Sequence, residues 1–225
     1  MSKRAPYPMM NEERWVNLVA VVVFGLTLAA LVGPWWHLSP AWVASTTLVL
    51  LGLATADAWL WQSQGLTFLL GLWPSERVLH HEAGHFLVAH LMGIPIEDYT
   101  LDSWSSWRRG YPPSEAGVRL GTVPLSLWPQ CPVVWMAGVA AEEWLYGDAR
   151  GGVLDQEQAL RHLEGFPPAE RPWRLRLAQR EAQVLLQNHA AAYWALVEAM
   201  RQRKSVAECV ATIEQHLQSA SGLET

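Results

Sequence analysis

Between Trp15 and Ser75 the chain carries one charged residue, Asp57, although it holds 16 basic and 21 acidic residues in all. A stretch that long without charge has no polar face to offer water, so it must be enclosed by protein or by lipid. Only Lys3, Arg4, Glu12, Glu13 and Arg14 precede it, and the remaining charges follow it at ordinary density. Residues 15–33 are interrupted only by Asn17 and Thr27. At 1.5 Å per residue such a run matches a hydrocarbon core of roughly 30 Å. Residues 41–61 form a second run, diluted by Ser45, Thr46, Thr47 and Thr55, with Asp57 close enough to its end to reach the interface. Pro34 and Pro40 bracket the connection. Trp15, Trp35, Trp36, Trp42, Trp59 and Trp61 fall near the run ends, where indoles sit in a membrane protein.

The expectation is therefore a short N-terminal tail (1–14), a transmembrane hairpin within 15–65, and a separate body over 66–225. The apolar run 66–73 is too short to span and is expected in the interface or under the body. Lys3, Arg4 and Arg14 favour a cytoplasmic N-terminus, and two spans return the body to the same side. A net charge of −5 without a basic block argues against nucleic acid as a partner. Two cysteines, Cys131 and Cys209, make no disulfide framework and fit a reducing compartment.

The body opens on Pro74-Ser75-Glu76, a helix start with Ser75 as N-cap, and the pattern predicts a helix to Met92, stopped by Gly93. Within it stands His81-Glu82-Ala83-Gly84-His85. Residues four apart on a helix differ by about 40° in direction, so both imidazoles can share one metal. Glu82 lies one step round, placed to take a proton from a zinc-activated water rather than to ligate. Zinc suits two neutral imidazoles, a carboxylate and one open position. His80 lies about 100° from His81 and His90 about 180° from it, so both are read as packing residues.

A third ligand must come from elsewhere. Residues 131–146 read as a buried helix with Pro132 near its start, Gly147 as its stop, and Ala137, Gly138, Ala140 and Ala141 permitting a close approach to the motif helix. Glu142 and Glu143 end it, and Asp148 and Asp155 follow across a Gly-rich turn. Four carboxylates compete for one place, and spacing does not choose among them.

His81-Glu82-Ala83-Gly84-His85 resembles the HEAGH motif of the FtsH-type membrane zinc proteases. Ala137-Gly138-Val139-Ala140-Ala141-Glu142-Glu143 with Tyr146-Gly147 is similar to that family's GGRAAEE…FG segment. Gly151-Gly152-Val153-Leu154-Asp155 with Ala159 resembles its TGAxND…AT segment. The resemblance covers most of residues 76–217 and implies a zinc peptidase domain. It assigns His81, His85 and Asp155 to zinc and Glu82 to general base, with Glu142 as a supporting acid or rival ligand. The family joins its protease to an ATPase. Here Lys3 and Lys204 are the only lysines and no Gly-Lys pair occurs, so no phosphate-binding loop is present. The chain most resembles the short ATPase-free relatives of cyanobacteria and plastids.

The expected fold is mainly α: a two-helix transmembrane hairpin followed by a mostly helical zincin-like domain with a small β-hairpin from 94–101 and 117–123. The two segments are read as a structural hairpin or, as the resemblance implies for one of them, a substrate-holding edge; the excursion between them, with Trp104, Trp107, Arg108 and Arg109, is read as a rest on lipid headgroups. Residues 171–200 and 206–218 are expected to be helices serving packing or a homo-oligomer. The expected function is an ATP-independent, membrane-anchored zinc metalloendopeptidase acting on unfolded or membrane proteins, with or without a separate ATPase. The alternative is a proteolytically inactive metal-binding scaffold or chaperone-like subunit of a membrane complex.

Overall fold

A computed structural model of the chain describes residues 12–37, 39–60, 68, 75–111 and 117–221. Lys3, Arg4, Trp61 and, apart from Phe68, the apolar run 66–73 lie outside the described residues. The chain is mainly helical, with one two-stranded antiparallel sheet among the described residues, and divides into two compact units. The first comprises Met1–Trp73 with Asp102–Glu115, and the second Pro74–Leu101 with Ala116–Thr225. The excursion between the strand segments thus groups with the apolar third, a partition that spacing along the sequence did not suggest.

In the first unit, α1 (Glu12–Val32) and α2 (Pro40–Leu60) are joined through a 3-10 turn at Gly33–Trp36. Their large apolar side chains face outward: Phe24, Leu31 and Leu48 are 69%, 75% and 74% exposed. The hydroxyls of Thr27, Thr46, Thr47 and Thr55 donate to carbonyls four residues back at 2.7–2.8 Å, so none needs a partner outside its own helix. Among the described residues, no helix is long and apolar enough to cross a membrane. A short helix within residues 102–115 also belongs to this unit.

In the second unit, α3 (Glu76–Leu91) begins where Ser75 caps it, its side chain accepting from the Val78 N–H at 3.2 Å. The strands β1 (Ile96–Tyr99) and β2 (Val118–Leu120) pair antiparallel, Ile96 with Leu120 and Tyr99 with Val118, across a bulge between Ile96 and Asp98. The chain segment between them carries α4 (Ser103–Arg108) of the first unit. Next come α5 (Cys131–Tyr146), α6 (Val153–His162), α7 (Arg171–Asn188), α8 (Ala190–Arg201) and α9 (Val206–Ser221). The expected helix over 171–200 is two helices, because the chain turns at His189.

The core forms where α3 lies along α5, which α7 also packs against. Leu79, Phe86, Leu87, Val134, Met136, Leu186, Leu196 and Met200 are buried there. The closeness of the α3–α5 crossing depends on Gly84. A Cβ on it would stand 2.6 Å from the Ala137 carbonyl oxygen and 2.9 Å from the Ala141 methyl. The apolar spacing of both helices drives their burial. The small residues decide how near their backbones come.

Candidate metal centre

Arg77, His81 and His85 stand at four-residue intervals on α3 and therefore leave the same side of it. The His85 Nδ1 lies 2.7 Å from the Val134 carbonyl oxygen of α5. A carbonyl only accepts, so Nδ1 is the donor and Nε2 of the neutral ring presents a lone pair. His81 is fixed in the same sense, with Nδ1 2.8 Å from Glu142 Oε1. Burial alone would raise the Glu142 carboxyl. The contact with His81, the Arg150 N–H and the Arg77 guanidinium outweigh burial and hold it at about 2, so it accepts and does not donate.

With both Nδ1 atoms committed, the two Nε2 atoms face one another 3.0 Å apart. Asp155, in the first turn of α6, brings Oδ2 to 3.1 Å from His81 Nε2 and 3.4 Å from His85 Nε2. Three electron-pair donors thus converge with no hydrogen to share when the rings are neutral. A cation among them removes that conflict. Tetrahedral zinc with bonds of about 2.1 Å separates its ligand atoms by roughly 3.4 Å, so the triangle is of the right size. A Cβ at Gly138 would overlap both Nε2 atoms, and α5 accordingly offers bare backbone at the point of convergence. Donor set, spacing and the space kept by Gly138 all fit a zinc ion.

The protonation pattern reflects the same crowding. Burial opposes charge on His81, but its bonds to Asp155 and Glu142 and the field of Glu82 lift the imidazole to about 10. His85 is also raised, Asp155 outweighing the burial that would lower it. Asp155 is held well below the ordinary carboxylate range, since the two imidazoles more than offset its burial.

Of the four carboxylates left open by the sequence, Asp155 alone meets both Nε2 atoms. Glu142 sits behind His81 and accepts from Arg77 Nη1 at 2.8 Å, from the Arg150 N–H at 2.9 Å and from the Gly151 N–H at 3.2 Å. Asp148 pairs with Arg77 and Arg150, and Glu143 is exposed. The turn that carries Asp155 past His81 needs glycine twice. A Cβ at Gly151 would stand 2.7 Å from Glu142 Oε1, and Gly152 has φ +85°.

Glu82 is buried beside the cluster, its Oε2 accepting from the Val118 N–H of β2 at 2.9 Å. Burial pushes its carboxyl up, and the two imidazoles and the Val118 N–H only partly counter this. His80 points elsewhere, with Nδ1 3.0 Å from the Tyr193 hydroxyl of α8. His90 is half-buried and takes no part in the cluster.

Sequence reasoning did not single out Arg77, Val134 or Val118, and it read Gly138 as a packing residue without placing it at the point where the two Nε2 atoms converge. Arg77 was recoverable, being four residues before His81 on the same face. Val134 and Val118 act through main-chain atoms, for which a side-chain pattern holds no signal. Comparisons with protein-family models, curated proteins and solved structures find no match to this chain.

Proposed function

We propose that this chain is a membrane-anchored, ATP-independent zinc metallopeptidase that hydrolyses peptide bonds in unfolded or membrane-proximal proteins. The observation that carries this reading is the convergence of His81 Nε2, His85 Nε2 and Asp155 Oδ2 beside a buried Glu82. The motif likeness to FtsH-type proteases supports it.

His81, His85 and Asp155 would hold the ion, which when bound supplies Lewis acidity towards a peptide carbonyl and water. The protein's own groups do the rest. Glu142 and the Val134 carbonyl keep both imidazoles in the tautomer that presents Nε2. The Val118 N–H occupies Glu82 Oε2, which leaves Oε1 to take a proton from the attacking water and return it to the leaving amine. The upward displacement of the Glu82 carboxyl by burial moves it towards the range a general base needs at neutral pH.

Anchoring is supported by the charge-free run, the outward aliphatic faces of α1 and α2, and threonine hydroxyls that bond within their own helices. Each helix has 21 residues, about 31 Å at 1.5 Å per residue. Lys3, Arg4 and Arg14 would put the peptidase unit on the cytoplasmic or stromal side.

One observation favours a second reading, a metal-binding scaffold without hydrolysis. Glu82 is 7% exposed and already engaged by Val118. A single comparison separates the two. Zinc-loaded wild type cleaves an unfolded casein-type substrate and Glu82→Gln does not; equal behaviour of both, with zinc bound, establishes the scaffold instead.

A further inference from the structure

We infer that α4 is a membrane-surface foot, seating its two tryptophans in the headgroup region of an anionic bilayer. The inference rests on the anchoring proposed above and goes beyond it, because it gives a role to a segment that interrupts the peptidase unit's only described sheet.

The sequence builds α4 as a rigid single turn and a half. Asp102 caps it, accepting from the Ser105 N–H at 2.6 Å, and the Arg109 N–H closes the other end on the Ser105 and Ser106 carbonyls. Ser103 and Ser106 are buried, so the small polar residues face inward. The large apolar ones face out: Trp104 is 47% exposed and Trp107 56%. This inverts the arrangement expected of a helix in water. The two indoles stand 5.2 Å apart between ring centres, and Phe68 backs both at 6.3 and 6.5 Å. Arg108, Arg109 and Gly110 follow immediately and are exposed.

Three features choose lipid as the occupant. Indole partitions to the bilayer interface, where its ring is apolar and its N–H stays wet. Two adjacent exposed arginines complement the phosphates of an anionic lipid surface. The segment also belongs to the same compact unit as α1 and α2, whose outward aliphatic faces are the proposed anchor.

The test uses the full chain in vesicles of phosphatidylcholine and phosphatidylglycerol. The emission of wild type minus Trp104→Phe/Trp107→Phe isolates these two indoles from the other twelve. The expected difference spectrum is blue-shifted and loses most of its intensity when the lipids are brominated near the headgroup. That quenching should weaken when phosphatidylglycerol is omitted or in Arg108→Gln/Arg109→Gln. A red difference spectrum, quenched by aqueous iodide and indifferent to bromolipid, overturns the foot. If the chain nevertheless floats with the vesicles after alkaline carbonate, the anchor stands without it. Release by carbonate overturns the anchor itself and the foot with it.

Discussion

Glu142 Oε1 meets His81 Nδ1 at 2.8 Å, and this contact determines which nitrogen of His81 is left for a metal. It also explains why an acid so near the histidines is not one of the ligands. Arg77 and two main-chain N–H groups hold Glu142 behind the ring, and Asp155 arrives from the other side.

Metal content should follow that division of labour. Purified protein is expected to hold about one zinc per chain, lost in His81→Ala, His85→Ala and Asp155→Ala. Glu142→Gln should keep the stoichiometry with affinity reduced about 10- to 100-fold, as is usual when a ligand's hydrogen-bond partner is removed. Zinc retained by Asp155→Ala and abolished by Glu142→Ala would reverse the assignment.

Gly138→Ala should act as a lesion of the centre rather than of the fold. Its methyl group would overlap both Nε2 atoms. The variant is expected to show wild-type far-ultraviolet circular dichroism with zinc binding lost. Retained full-affinity zinc would mean that α5 can withdraw from the histidines.

Gly84→Ala tests the crossing beneath the site. With the Ala137 carbonyl 2.6 Å from the new methyl, the two helices must part. Overpacking of this kind costs about 1–3 kcal/mol, which thermal or urea unfolding would detect. An unchanged midpoint would show that the α3–α5 contact is looser than described.

A pH dependence should come from His162. Among the described residues, its Nδ1 is the buried side-chain nitrogen or oxygen left without a hydrogen-bond partner, and the ring lies against Trp128 and Trp135. Burial lowers its pKa below the ordinary 6.5. The unfolded chain therefore binds a proton that the folded one refuses as pH falls below 6.5. The stability present above that value should decline towards the folded pKa, and His162→Phe should remove this part of the decline. Urea midpoints of both proteins across pH 7.5 to about 5 measure it.

The helices around the site were legible because their signals are local. Ser75, Gly147 and Pro132 punctuate α3 and α5 where the sequence placed their ends, and the four-residue spacing of His81 and His85 put both rings on one side. Each strand is about four residues shorter than expected from 94–101 and 117–123, since little β-pattern distinguishes Pro95 or Gly121 from the ladder they flank. The choice of Asp155 over Glu142, Glu143 and Asp148 was not legible from spacing, and resemblance alone pointed to it. The deciding facts are the path of the 148–152 turn and the hold of Arg77 on Glu142, and both exist only once α5 is docked on α3. Grouping of 102–115 with the apolar third was hidden for the same reason.

The two imidazoles are neighbours on one helix, but Asp155 lies 74 positions from His81 along the chain. The intervening residues must pair β1 with β2, dock α5 and close the glycine turn before the third ligand arrives. A growing or unravelled copy therefore possesses the histidines without the third ligand, and the proposed metal centre would be absent until the polypeptide is complete through α6.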